Sequence, residues 1–179
     1  YFADQWDSST SDAWVRNKIK FGLALEFSST PPNFFMNCPI SQDPVKKKLM
    51  ETAIDHLLDI RAQDQQGHGF YSLLFIVPKS SGDWRAILDL KRLNCSPVYR
   101  KFKMNTLQSI LLSIRKGDYL SSIDLMEAYL HIPIRPSRSK FLRFCYDNRH
   151  FEYVALPFGL SSAPRILTKV LAALATHLR

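Results

Sequence analysis

Apolar residues recur at helical spacing over 44–62, where Val45, Leu49, Ala53, Ile54, Leu57 and Leu58 fall on one side. Asp43 followed by Pro44 makes an N-cap and first-turn pair, so the spacing predicts an amphipathic helix there. Gln63 to Gly69 is polar and contains glycine, which predicts a loop. The period then shortens. Phe70 to Val77 is an apolar run, Lys79-Ser80-Ser81-Gly82-Asp83 makes a turn, and Trp84 to Leu90 returns as a second run. This predicts a β-hairpin with a basic, glycine-bearing tip. Thr106 is placed to cap a helix over 106–116 carrying Leu107, Ile110, Leu111 and Ile114, which Gly117 ends. Tyr119 to Asp124 and His131 to Ile134 read as strands. Phe141 to Tyr146 and Phe151 to Leu156 flank Asp147-Asn148-Arg149 as a second hairpin. Ser162 to Arg179 reads as a helix, with Pro164 in its first turn and a stripe of Ile166, Leu167, Val170, Leu171, Leu174 and Leu178. Residues 1–30 are aromatic-rich without a clear period, and Ser28 to Pro32 is a cluster of helix and strand breakers. No internal repeat is visible. The expected class is α+β, with antiparallel hairpins packed against helices.

Composition narrows the picture. The chain has 179 residues, 46% of them hydrophobic and 22% charged, which excludes wholesale disorder and collagen-like architecture. No apolar run reaches the roughly 18–20 residues of a membrane span, so no membrane partner is expected. Cys38, Cys95 and Cys145 are odd in number and widely spaced, which argues against a disulfide framework or a zinc site. His56, His68, His131, His150 and His177 likewise lack ligand spacing. The chain starts at Tyr1 with no charged-then-apolar leader, so it is expected to be cut from a longer protein. The net charge of +8 is lopsided: residues 1–67 hold 7 basic and 9 acidic groups, whereas residues 68–179 hold 17 and 7. Such a chain suits a polyanionic partner, because neutralising phosphates releases counterions, although a solvated basic surface reads the same way.

Four features could carry chemistry. Asp124 closes the apolar run Leu120-Ser121-Ser122-Ile123, where a carboxylate needs a cation or a donor, or else caps a following helix. Tyr129 returns toward it if Leu125 to Ala128 form a helical turn, and is otherwise a core aromatic. The loop Leu156-Pro157-Phe158-Gly159-Leu160-Ser161-Ser162 feeds a helix start, where small residues allow close approach and the dipole favours anions. Lys79 and Arg85 flank the hairpin tip, where cations clamp phosphates or are simply solvated.

In order and content these segments resemble a known family. Phe75-Ile-Val-Pro-Lys79-Ser-Ser-Gly-Asp-Trp84-Arg85 through Asp89 to Asn94 resembles the fingers of reverse transcriptases. Ser122-Ile-Asp124-Leu-Met-Glu-Ala-Tyr129 looks like their first palm motif, and Leu156-Pro-Phe158-Gly159 through Arg165 like the next. The flavour is that of DIRS-type retrotransposons, to whose pre-polymerase region Phe2 to Trp6 and Ser11 to Trp14 are similar. The resemblance implies an N-terminal extension over 1–40, a fingers-like part over 41–117 and a partial palm over 118–179. It also implies Asp124, with the Leu125 carbonyl, as ligand for two Mg²⁺ (or Mn²⁺) ions in the complete enzyme. Tyr129 would lie under the sugar and exclude a 2′-hydroxyl. Lys79 and Arg85 would grip the triphosphate, and Phe158 with Gly159 would shape the nucleotide floor. The implied partners are an RNA or DNA template with primer and deoxynucleoside triphosphates, in an intracellular setting.

One departure matters. The family completes its metal site with an aromatic-x-Asp-Asp hairpin, and no Asp-Asp pair occurs in this sequence. Asp118 shares strand parity with Asp124 but would lie roughly 20 Å along the strand. Asp89 belongs to the fingers, and Glu127 is expected to point off the turn. Two divalent ions repel by more than the ~4 kcal/mol that unit charges feel at ~4 Å and an effective dielectric of ~20. A single carboxylate does not offset that, so this segment alone is expected to be inactive. A non-catalytic nucleic-acid-binding remnant of a retroelement is the competing reading. A strand bearing Asp124 without its partner would also be an open edge, so the segment is expected to associate.

Overall fold

The computed structural model describes residues 4–60, 62–64, 67–79, 82, 84–98 and 100–177. Two short helices, α1 (Gln5–Ser9) and α2 (Ala13–Phe21), open the chain within the stretch that has no clear period. Asp12 starts α2 by accepting from the Trp14 and Val15 amides at 2.8 and 3.2 Å, which satisfies donors the helix cannot. Helix α3 (Pro44–Ile60) forms where the periodicity put it, and the Asp43 carboxylate accepts from the Val45 amide at 2.9 Å. It stops short of residue 62, because Ala62–Asp64 is strand β1, paired antiparallel with a later strand. The expected 63–69 loop is thus corrected at its start: a polar sequence becomes a strand because a partner edge is available to it.

The first hairpin consists of β2 (Leu74–Pro78) and β3 (Trp84–Leu88), with Val77 opposite Arg85. Phe70 and Tyr71, read as its beginning, instead make single bridges to Phe34 and Arg143. Of the turn, Lys79 and Gly82 are described, the latter at φ +89°, while Ser80, Ser81 and Asp83 lie outside the described residues.

Three expectations fail over 106–134. The helix there shrinks to α4 (Leu107–Leu111), although Thr106 and Ser109 cap each other reciprocally as a capping box. A five-residue helix with no buried residue has no packing to extend it. The strand at 119–124 is absent: residues 118–125 have no regular structure, and Leu120 and Ile123 are each 73% exposed. A strand needs a ladder partner, and none of the described strands pairs with this segment. The strand at 131–134 is replaced by a 3₁₀ turn over Ala128–His131, followed by isolated bridges from Pro133 to Ala155 and from Leu23 to Ile134. Pro133 has no amide proton to continue a ladder.

A short helix, α5 (Pro136–Ser139), leads into the second hairpin, β4 (Arg143–Tyr146) and β5 (Arg149–Tyr153). Asp147 and Asn148 form its two-residue turn at φ +50° and +59°, a left-handed pair these residue types tolerate. The three-stranded sheet runs β1-β5-β4. Phe144, Phe151 and Tyr153 are buried on it, with the Phe144 and Phe151 rings stacked at 4.9 Å. Opposite one another in register, Arg143 and Glu152 form a buried ion pair at 2.9 Å, supported by the Ser139 hydroxyl and the His68 carbonyl. Helix α6 (Ala163–His177) closes the chain, burying Ala163, Ile166 and Val170; residues 178–179 of the expected helix lie outside the described residues. No described helix is long and apolar enough to cross a membrane.

Candidate active site

A cleft of about 440 Å³ opens where the first hairpin, the 124–129 segment and the start of the 158–161 loop meet. The hairpin sends in Lys79 and Arg85, and the irregular segment brings Asp124, Leu125 and Glu127. Glu127 adopts φ 50°, ψ 43°, a left-handed kink that turns the chain into the 3₁₀ turn holding Tyr129. That turn brings Tyr129 edge-on to Phe158, with ring centroids 4.9 Å apart. The Arg85 guanidinium lies 4.8 Å from the centroid of the same Phe158 ring. One aromatic therefore bridges a cation from the hairpin and an aromatic from the turn, a combination favourable on both contacts.

Gly159 holds Phe158 in place. It sits at φ +96°, and a Cβ there would come within 2.8 Å of the Leu88 carbonyl oxygen. Only a residue without a side chain permits that approach. Asn94, in a 3₁₀ turn just after β3, clamps the same loop. Its amide donates to the Gly159 carbonyl at 2.8 Å and its oxygen accepts from the Ser161 amide at 2.9 Å. In the sequence Asn94 ends the stretch that resembles the family's fingers, with no task of its own. The signal available was an amide side chain just past a strand, but its partners are 65 and 67 residues away.

Of the residues singled out in the sequence, Lys79, Arg85, Asp124, Leu125, Tyr129 and Phe158 line the cleft, while Gly159 supports its wall without lining it. Glu127, expected to point away, lines the cleft as well, and its Oε1 lies 3.4 Å from His56 Nε2 on α3. A second cavity of about 580 Å³ between α3 and the hairpin shares Lys79, Arg85, Glu127 and Phe158 as a common wall. At its back, burial pushes the Tyr153 phenol well above its usual range, with the Glu127 carboxylate adding to the shift.

The oxygen donors on Asp124 and the Leu125 backbone suit one hard cation that completes its shell with phosphate oxygens and water. They do not suit a pair of ions. Among the described residues no three His, Cys, Asp or Glu side chains gather as a metal site.

No family model matches the chain. It is 27% identical over 126 residues to the Pro-Pol polyprotein of simian foamy virus type 1, covering 70% of this chain and 11% of that protein. It is also 27% identical over 146 residues to a retrovirus-related Pol polyprotein from the transposon opus of Drosophila melanogaster, covering 73% and 15%. The chain thus spans about 11–15% of the length of these curated relatives. Among solved structures, a prototype foamy virus protease–reverse transcriptase superposes with a TM-score of 0.70 at 22% identity, covering 87% of this chain and 21% of that one. The foamy viral protease–reverse transcriptase in complex with an RNA/DNA hybrid gives 0.65 at 18% identity, covering 99% and 27%. By fold, the chain is a reverse-transcriptase-like α+β domain, similar in sequence to the Pol polyproteins of retroviruses and retrotransposons.

Proposed function

We propose that this chain is part of a retroelement reverse transcriptase, which extends a primer along an RNA or DNA template with deoxynucleoside triphosphates. The observation that carries the reading is the convergence of Asp124, Lys79 and the Arg85–Phe158–Tyr129 stack on one cleft. These residues come from three stretches of sequence that resemble three successive motifs of that family. The sequence resemblance further supports a DIRS-type origin, an N-terminal extension over 1–40, a fingers-like part over 41–117 and a partial palm over 118–179.

Each side chain has a task in this reading. Lys79 and Arg85 bind the triphosphate, the stack on Phe158 fixing the direction of the Arg85 guanidinium. Tyr129 lies beneath the sugar and leaves no room for a 2′-hydroxyl. Phe158, apolar and braced by Gly159 and Asn94, gives the nucleotide a flat floor and keeps water from it. Asp124 and the Leu125 carbonyl would hold divalent metal, which when bound lowers the charge on the transferring phosphate and favours in-line displacement. The described residues supply one such carboxylate with Glu127 beside it, so the 179-residue chain by itself is proposed to be inactive.

Two measurements test this. In a primer-extension assay with template–primer, deoxynucleotides and Mg²⁺, the chain is expected to give no product, and robust extension refutes the inactivity. In a binding assay, Arg85→Gln is expected to weaken deoxynucleoside triphosphate binding by about tenfold, in line with the loss of one charge-assisted contact of ~1.5 kcal/mol. Tyr129→Val is expected to narrow the preference for deoxy- over ribonucleotide. The small number of metal-ligating carboxylates favours a second reading, a nucleic-acid-binding remnant without nucleotide chemistry. It predicts template–primer binding with no measurable nucleotide binding.

A further inference from the structure

A groove of about 430 Å³ lies on another side of the first hairpin, between β2 and β3, residues 39–41, the first turns of α3 and the end of β4. It shares no lining residue with the candidate active site. Its walls are apolar: Pro39, Met50, Phe75, Ile76 and Trp84. Two of these are aromatic and partly open to solvent, Phe75 at 41% and Trp84 at 39%. A concave apolar site of this volume with a few polar groups is what a small ligand occupies. A stable protein partner covers roughly 800 Å² on each side, far more than this groove offers.

The polar groups narrow the choice of ligand. Tyr146 lines the groove and is 5% exposed, and its hydroxyl is shut off from water without a hydrogen-bond partner among the described residues. Folding alone gives no reason for it, because an unpaired buried hydroxyl is destabilising and phenylalanine would fill the same space. Burial pushes the Tyr146 phenol up, and the fields of Glu51 and Asp147 add to that, so it keeps its proton and can only gain by donating it. Met50, unbranched and half-buried, lines the groove beside it and can swing aside to open the way. Two lysines stand at the rim. Lys47 is engaged by Glu51 at 3.8 Å, whereas Lys46 makes no ion pair among the described residues. One donor and one uncommitted cation at the edge of an aromatic-walled groove match a single carboxylate on a flat apolar body.

We propose that this groove binds a small aromatic carboxylate, whose ring lies against Phe75 and Trp84 while its carboxylate accepts from the Tyr146 hydroxyl and faces Lys46. The site is separate from the nucleotide cleft and does not rest on the function proposed above. It gives the Tyr146 hydroxyl a use that offsets its cost to the unliganded fold.

Isothermal titration of the 179-residue chain with 2-naphthoate tests the site, with 2-naphthalenemethanol as the uncharged analogue of the same shape. The carboxylate is expected to bind at least about tenfold more tightly than the alcohol. Tyr146→Phe is expected to weaken naphthoate about tenfold, the loss of one hydrogen bond to a charged group. The same variant is expected to melt about 2–4 °C higher without ligand, since it removes an unpaired hydroxyl and keeps the ring. Lys46→Gln is expected to weaken naphthoate about threefold and leave the alcohol unchanged, and Lys46→Arg to preserve both affinities. A lower melting temperature in Tyr146→Phe means that the hydroxyl serves the fold, and overturns the proposal. So does equal affinity for the two probes, absence of binding at millimolar naphthoate, or displacement by an equal concentration of inorganic phosphate. If Lys79→Gln and Arg85→Gln abolish naphthoate binding while Tyr146→Phe leaves it intact, the anion sits in the nucleotide cleft. The groove then fails and the proposed function stands. Loss of binding confined to a Leu112→Ser, Ile123→Ser double variant places the ring on the exposed 107–126 segment and likewise overturns the groove.

Discussion

Asn94 and Gly159 show how much of the cleft depends on groups that carry no charge. The loop bearing Phe158 is held by two side-chain hydrogen bonds from one amide and by a backbone approach that excludes a Cβ. Asn94→Ala removes both partners of main-chain groups and is expected to cost about 1–2 kcal/mol in urea denaturation. Gly159→Ala is expected to cost about 1–3 kcal/mol, from the strained φ and the collision with the Leu88 carbonyl. Either change should loosen nucleotide binding more than Asn94→Asp, which keeps the acceptor for the Ser161 amide. Glu26 gives a pH signature at the same scale. Its carboxyl titrates below the ordinary 4.5 because Arg100 binds the ionised form. Its contribution to stability is therefore fully present above that value and is lost as pH falls through the lowered one. Melting temperatures of wild type and Glu26→Gln are expected to converge as acidification protonates this carboxyl. The effect is small, because both partners are about half exposed.

At the scale of elements, local signals held wherever a partner was at hand to complete them. Asp43-Pro44 begins α3, and Asp147-Asn148 turns β4 into β5. Thr106 caps as its position implies, yet α4 stops after five residues, since no face of it is buried. The same reason removes the strand at 119–124, whose apolar residues lie against water. Amide hydrogen exchange measures this contrast. Amides of 118–125 are expected to exchange near the unprotected rate, while Phe144, Cys145, Phe151 and Tyr153 exchange at least about a thousandfold more slowly, as befits buried ladder positions. Protection of 118–125 comparable to that of β4 and β5 would contradict the exposed segment.

For the whole molecule, the exposed segment is expected to promote association. Leu107, Leu112, Leu120, Ile123 and Met126 are each more than 70% exposed within twenty residues of sequence. An apolar run of this kind on a folded domain invites contact with another surface. Light scattering at tens of micromolar is expected to show species heavier than the 20.7 kDa monomer, and a monodisperse monomer counts against it. Substituting Leu112 and Ile123 with Ser is expected to reduce the association without altering the melting temperature, because neither side chain is buried. From sequence alone came the α+β class, both hairpins and the two long helices, because periodicity, caps and turn chemistry act over a few neighbouring residues, while the residues around the cleft were singled out together only through the resemblance of their motifs to a known family. Tertiary structure alone decided that 62–64 pairs as a strand, that 119–124 does not, that Asn94 clamps the Phe158 loop, and that α2 meets the start of α6. Each of these depends on a partner dozens of residues away, and a local pattern carries no record of which distant edge or carbonyl the folded chain presents to it.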